Sequence, residues 1–274
     1  MRPARPPLRV AIAGLGAIGR TVAERLDRGI EGLELVAVSA RDRAAAEARL
    51  RATVSRPVPV LTVDRLAEIA DVVVECAPAT VFRAIAEPAV AHGRILLPLS
   101  VGALLDHLDL VERARATGAR ILPPTGALLG LDAVRAATEG TIRSVTMVTR
   151  KPPAGLAGAP YLVERGIELD ALREPLRVFA GSAREGARGF PANVNVAAAL
   201  ALAGIGPDRT RLEIWADPTV TRNTHRIEVD AEEASFTMTI ANVPSSDNPR
   251  TGRLTALSVV AALRRLTAPF VVGT

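Results

Sequence analysis

Three glycines spaced as Gly14-Leu15-Gly16-Ala17-Ile18-Gly19 follow the apolar run Leu8–Ala13 and precede a stretch with helical periodicity. In that setting Gly14 permits a tight turn, Gly16 lets the backbone approach a pyrophosphate, and Gly19 lets a helix pack close to its strand. The helix start then offers unpaired N–H groups and a positive dipole end to phosphates. The chemistry expected of this segment is dinucleotide binding. His225 within Asn223-Thr224-His225-Arg226-Ile227 has two readings: a base, because imidazole titrates near working pH, or a histidine that only hydrogen-bonds within a sheet. On a strand its side chain shares a face with Asn223 and Ile227. His92 and His107 fall in amphipathic segments of the first half and read as surface or packing residues.

Lys151 is the only lysine in the chain. Two readings stand: a compositional drift toward arginine, or a place that needs a compact, pKa-tunable ammonium which arginine cannot replace. Cys76 reads as a small packing residue, since nothing adjacent in sequence would lower its pKa.

A fold that prefers NAD usually places an acid at the end of its second strand to hold the ribose 2′-hydroxyl. Here that position reads Val38-Ser39-Ala40-Arg41-Asp42. Ser39 and Arg41 suit a 2′-phosphate, which guanidinium grips through a planar fork; Asp42 lies slightly late but serves NAD if the loop curls back. The expected cofactor is NADP, or NADP and NAD both. FAD is the rival on the same fingerprint, and the chain is short for a flavoenzyme with its own substrate domain. The bend at Ala77 and Pro78, after a central strand, is where the middle of the cofactor is expected by the switch-point rule.

The elements that must position these residues alternate through the first half. Strands are predicted over Leu33–Ala40, Asp71–Ala77, Arg94–Ser100 and Arg120–Pro123, and helices over Arg43–Ala52, Thr80–His92 and Leu104–Thr117. This is the pattern of a doubly wound parallel sheet. After about Gly126 the texture changes to longer alternating segments, Thr141–Arg150, Arg177–Ala183, Arg211–Ala216, Thr224–Asp230 and Ser235–Val243. They predict a mostly antiparallel open sheet covered on one face, in part by the Ala/Leu-rich helix Asn193–Ala203. A last helix, Gly252–Leu266, is expected to return to the first domain. The fold class is therefore α/β, a Rossmann-type domain (1–124 and 246–274) plus an α+β domain (125–245) for catalysis and dimerisation.

Hydrophobic residues make up 49% of the chain, ample for a core, and the basic start with its apolar run reads as a strand rather than a secretory signal. No apolar stretch is long enough to span a bilayer, so no membrane role is expected. A single cysteine excludes an intramolecular disulfide and points to a reducing cytoplasm. The net charge of +5 raises the question of nucleic acid, yet the arginines are scattered among acids and aromatics are 3% of residues. No nucleic-acid partner and no metal are expected.

Several segments resemble the L-aspartate dehydrogenase family: Thr149-Arg150-Lys151-Pro152-Pro153, Phe190-Pro191-Ala192-Asn193-Val194-Asn195-Val196-Ala197 running on to Ala203-Gly204-Ile205-Gly206, and Asn223–Ile227. Ser100-Val101-Gly102-Ala103, Pro124-Thr125-Gly126-Ala127 continuing to Ala133, and Asn248-Pro249-Arg250-Thr251 are similar as well. The resemblance spans nearly the whole chain in preserved order. It implies oxidation of L-aspartate to iminosuccinate with NAD or NADP, or the reverse with ammonia, feeding pyridine-nucleotide synthesis in some organisms. It places His225 on the catalytic histidine, and Ala127 and Asn195 on cofactor contacts. Thr125 stands where serine is expected, and Ser39-Ala40-Arg41 replaces a more usual acidic or aromatic strand end; the second departure bears on cofactor preference.

Amine oxidation needs a hydride acceptor, a base, and cations or donors for two carboxylates. Ser100, Thr125, Lys151 and Arg250 are the candidates for those carboxylates. Asn193 reads as a helix N-cap, and Asn195 falls in the first turn, with its amide toward the nicotinamide carboxamide. Water would release ammonia and oxaloacetate from the imine. The spare sheet face predicts a homodimer. The rivals are a homoserine- or dihydrodipicolinate-type reductase, expected to carry more lysines, and a nucleotide-binding sensor without catalysis.

Overall fold

The computed structural model describes residues 6–191, 194–245 and 252–273. The chain divides into two compact units, 1–124 with 256–271, and 125–255 with 272–274.

The first unit runs β1 (Leu8–Ala13), α1 (Ala17–Asp27), β2 (Leu33–Ser39), α2 (Arg43–Thr53), α3 (Leu66–Ile69), β3 (Val72–Glu75), α4 (Phe82–Ala91), β4 (Ile95–Pro98), α5 (Val101–Leu104), α6 (Asp109–Thr117) and β5 (Arg120–Ile121). The strands form one parallel sheet in the order β2-β1-β3-β4-β5. Successive side chains of a strand point to opposite faces, and both faces are covered here. Val10 and Ile12 join Val22, Ala23 and Leu26 of α1 in one apolar cluster. Ala11 and Ala13 join Phe82, Ile85 and Ala89 of α4 in another. Burial on both faces explains why the strands read as continuous apolar runs.

The second unit holds α7 (Leu131–Ala137), β6 (Ile142–Lys151), α8 (Pro160–Glu164), β7 (Leu176–Ser182), α9 (Ala183–Gly189), α10 (Asn195–Ala203), β8 (Arg211–Ala216), β9 (Asn223–Ala231) and β10 (Ser235–Asn242). Its sheet order is β10-β9-β6-β8-β7. The β6–β8 pair is parallel and the other three pairs are antiparallel. One face carries Val145 and Met147 of β6, Leu212 and Ile214 of β8, and Ile227 and Val229 of β9, all buried. The opposite face shows Thr146, Val148 and Arg150 beside Glu213, Trp215, Arg226 and Glu228, which stay partly or fully exposed.

The last helix, α11 (Arg253–Thr267), places Val259, Val260 and Leu263 in the same cluster as β1 and α1. Its first turn belongs to the second unit instead. The reason is local pairing: Gly252 bridges Pro244, and the Arg253 N–H donates to the Val243 carbonyl at 2.9 Å. The helix expected over Leu104–Thr117 starts later, as α6 at Asp109, because Asp106 and His107 close tight turns onto Ala103 and Leu104 at the end of α5. Helices α7, α8 and α9 had no counterpart in the sequence reading. Among the described residues no helix is long and apolar enough to cross a membrane.

Candidate active site

In the first unit the turn after β1 has the geometry that its glycines predict. Gly14 adopts φ +101°, and a Cβ there would lie 2.7 Å from the Cys76 carbonyl oxygen. A Cβ at Gly19 would lie 1.9 Å from the Gly14 carbonyl oxygen, so α1 can sit this close only with glycine. At Gly16 a Cβ would meet no protein atom within 4 Å; the open space there is the cradle a pyrophosphate needs. The Gly14 N–H donates to the Ser39 carbonyl at 2.8 Å, which ties the turn to the end of β2. Ser39 is buried and Arg41 exposed. Asp42 caps α2, its carboxylate accepting from the Ala45 N–H at 2.9 Å. The acid nearest the strand end is therefore engaged as a helix cap.

Cys76 follows β3 and donates its Sγ–H to the Gly14 carbonyl at 3.2 Å. Burial and the neighbouring Glu75 charge push the thiol far up, which keeps it protonated and in a packing role. Ala77 and Pro78 continue that loop. Ser100 is buried after β4, and its hydroxyl donates to the Glu75 carboxylate at 2.9 Å. The glycine turn, Ser39, Ala77 and Ser100 all lie at the carboxyl ends of the parallel strands, the edge where an open α/β sheet receives its ligand. The residues present fit a dinucleotide.

In the second unit the core-facing positions of β6 read Val145, Met147, Thr149 and Lys151, so the apolar row ends in two buried polar side chains. Register sets Thr149 opposite His225 of β9 on one side and Ile214 of β8 on the other. Thr149 Oγ1 and His225 Nδ1 are 3.1 Å apart. Thr149 thus orients the ring, and when Nδ1–H donates to that hydroxyl the Nε2 lone pair is left for chemistry.

Burial first, and then the Lys151 charge, lower the His225 pKa to about 3. Burial lowers Lys151 to about 8. The sequence alone predicts that His225 titrates near working pH. The buried ring instead stays neutral throughout that range, and an anionic substrate beside it would raise its basicity again.

Ala127 accepts from the Asn242 side-chain amide at 2.9 Å, and Asn242 pairs in register with Asn223, two residues from His225. This brings the Ala127 backbone to the His225 end of the sheet. Thr125 is exposed before Gly126, whose φ is +65°. Asn195 is the exposed first residue of α10, whose N-cap is Val194. Asn193 and Arg250 lie outside the described residues. Among the described residues, no group of three or more His, Cys, Asp or Glu could hold a metal ion. The sequence offers Thr149 only as part of a family-like segment and gives it no role, although its alternation with Lys151 at strand spacing is a signal. Glu75 and Asn242 had none.

Residues 132–266 match the family model described as aspartate dehydrogenase, C-terminal, and residues 14–124 match the NAD-binding domain of homoserine dehydrogenase. An L-aspartate dehydrogenase of Bradyrhizobium diazoefficiens is 61% identical over 97% of this chain and 94% of its own length. L-aspartate dehydrogenase 3 of Bordetella bronchiseptica is 56% identical over 98% and 99% respectively. The crystal structure of a Thermotoga maritima aspartate dehydrogenase shares the fold, with a TM-score of 0.72 at 23% identity over 97% of this chain and 99% of that one. A dinucleotide turn, a buried histidine held by threonine and this similarity along nearly the whole length agree: the chain belongs to the L-aspartate dehydrogenase family.

Proposed function

We propose that this protein catalyses the NAD(P)-dependent oxidative deamination of L-aspartate to iminosuccinate, and the reverse reductive amination. The observation that carries the reading is the buried His225–Thr149 pair beside Lys151, in a chain 61% identical to an L-aspartate dehydrogenase.

Gly14, Gly16, Ala17, Ile18 and Gly19 would hold the pyrophosphate, with Ser39 and Arg41 on the adenosine side, Ala77 and Pro78 along the middle, and Ala127 and Asn195 toward the nicotinamide. The bound nicotinamide supplies a hydride acceptor for the substrate α-carbon. His225 Nε2 takes the proton released as the substrate ammonium becomes an imine, or the proton of the water that attacks the imine carbon. That water becomes the carbonyl oxygen of oxaloacetate as ammonia leaves. Lys151 brings positive charge to the same face for a substrate carboxylate. Thr125 and Arg250 are further candidates for the second carboxylate. A cytoplasmic location accords with the single free thiol.

Turnover settles the assignment: purified protein with L-aspartate and NAD or NADP should produce reduced cofactor, and D-aspartate should not. Tight cofactor binding without L-aspartate turnover in either direction would overturn it and direct the search to homoserine-type substrates.

Arg41 and the capped Asp42 favour a 2′-phosphate. Arg41→Ala should raise KM for NADP by about 10- to 100-fold, the loss of a charge-assisted hydrogen bond, and leave KM for NAD nearly unchanged. Equal effects on both cofactors would remove Arg41 from the specificity site.

The open face of the second sheet supports a homodimer formed through it. Val148 sits on the central strand of that face. Val148→Glu should yield a monomer in sedimentation analysis, because a two-fold interface would bury its carboxylate beside a copy of itself. A wild-type monomer, or a dimer that survives the substitution, would place the interface elsewhere or abolish it.

A further inference from the structure

Glu75 ends β3, pairs in register with Ala13 and Pro98, and is fully buried. A buried carboxylate is costly unless its oxygens are satisfied. Here Oε1 accepts from the Ala77 N–H at 3.1 Å and from the Ser100 hydroxyl at 2.9 Å. Oε2 accepts from the Leu99 N–H at 3.1 Å and the Ser100 N–H at 2.9 Å. Burial still pushes the carboxyl above its ordinary range, against the pull of these donors. An apolar side chain would avoid that cost, so the group's value lies in what it joins.

Ala77 belongs to the loop after β3, and Leu99 and Ser100 to the loop after β4. Both loops stand at the carboxyl edge of the sheet. Cys76, between Glu75 and Ala77, ties the first loop to the glycine turn. The strand order reverses between β1 and β3, so a dinucleotide spans that point. Ser39 and Arg41 at the end of β2 mark the adenosine side. The loops joined by Glu75 run from the middle of the cofactor, at Ala77, to the other side, under the nicotinamide half.

We propose that Glu75 is a positioning residue for the nicotinamide half of the cofactor: without touching it, the carboxylate locks the loops after β3 and β4 into one platform. This rests on the crevice being the NAD(P) site. It also reassigns Ser100, whose hydroxyl faces the Glu75 carboxylate at 2.9 Å and the Ala77 carbonyl at 3.4 Å, from substrate carboxylate binding to the same clamp.

The test compares the whole cofactor with its adenosine half. Glu75→Gln keeps the side-chain volume but replaces one accepting oxygen with an amide that opposes an N–H donor. Its Kd for NADP, measured by fluorescence titration, should rise about tenfold. The Kd for adenosine 2′,5′-bisphosphate should stay within about twofold, since that fragment never reaches the platform. Ser100→Ala, which removes only the hydroxyl link, should shift NADP in the same direction by a smaller factor and serves if Glu75→Gln does not fold. A purely structural role would weaken fragment and dinucleotide alike, and that result, or no change in either, overturns the proposal. Wild-type protein that binds neither ligand would instead refute the cofactor reading beneath it.

Discussion

Replacing His225 with alanine should lower kcat by about a thousandfold, the usual contribution of a positioned general base. Cofactor affinity should be unaffected, because His225 is not among the residues assigned to the cofactor. Since His225 is buried, alanine also leaves a cavity. His225→Asn is the companion variant, keeping a polar partner for Thr149 while removing the basic nitrogen. Steady-state kcat beside cofactor titration separates the two effects; either variant retaining more than about a tenth of wild-type kcat would exclude His225 as the base.

The same residue makes a stability prediction. The His225 pKa is about 3 in the folded protein against an ordinary 6.5, so the unfolded chain takes up a proton that the native state refuses. Stability from this group is intact above pH 6.5 and is lost as pH falls from 6.5 toward 3, on the order of a few kcal/mol in total. Urea midpoints at pH 7 and pH 4 should therefore differ less for His225→Asn than for wild type.

Lys151→Met should raise KM for L-aspartate by about a hundredfold, the effect of removing a desolvated charge from its partner, and leave KM for the cofactor unchanged. Methionine fills the space of the lysine stem without charge. The substitution should also raise the His225 pKa, because the Lys151 charge is the second cause of its depression; the imidazole signal in an NMR titration reads this directly. Lys151→Arg should not restore activity, since guanidinium is larger and planar and does not fit the buried space of the compact ammonium. Wild-type KM should climb as pH rises past about 8, where Lys151 becomes neutral, and Lys151→Met should lack that limb. A KM for Lys151→Met within about twofold of wild type would exclude the lysine from substrate binding.

Much of this was legible in sequence where the determinant is local. The spacing of Gly14, Gly16 and Gly19 needs no distant partner to be interpreted, because one turn and one helix start carry its meaning. The apolar runs at Leu8–Ala13 and Val72–Glu75 announced strands buried on both faces. Ser182-Ala183-Arg184-Glu185 also carries a signal, and the capping box it forms starts α9, where the alternation of Arg177–Ala183 predicts only the end of a strand. The short helix Pro160–Glu164 is held by Tyr161, whose ring packs on Phe179 and Phe190, rather than by periodicity, which five residues cannot display.

What the sequence determined by itself is the cofactor turn, the two-part α/β plan and His225 as the residue to test. The tertiary structure decided what His225 is. Its partner Thr149 is 76 residues away, and only the β6–β9 register brings them together. Burial, a property of the packed sheet and not of any segment, then holds the ring neutral and makes Lys151 an unusually acidic ammonium. Glu75 shows the same limit, since a carboxylate ending an apolar strand reads as nothing in particular until β4 delivers Leu99 and Ser100 to its oxygens.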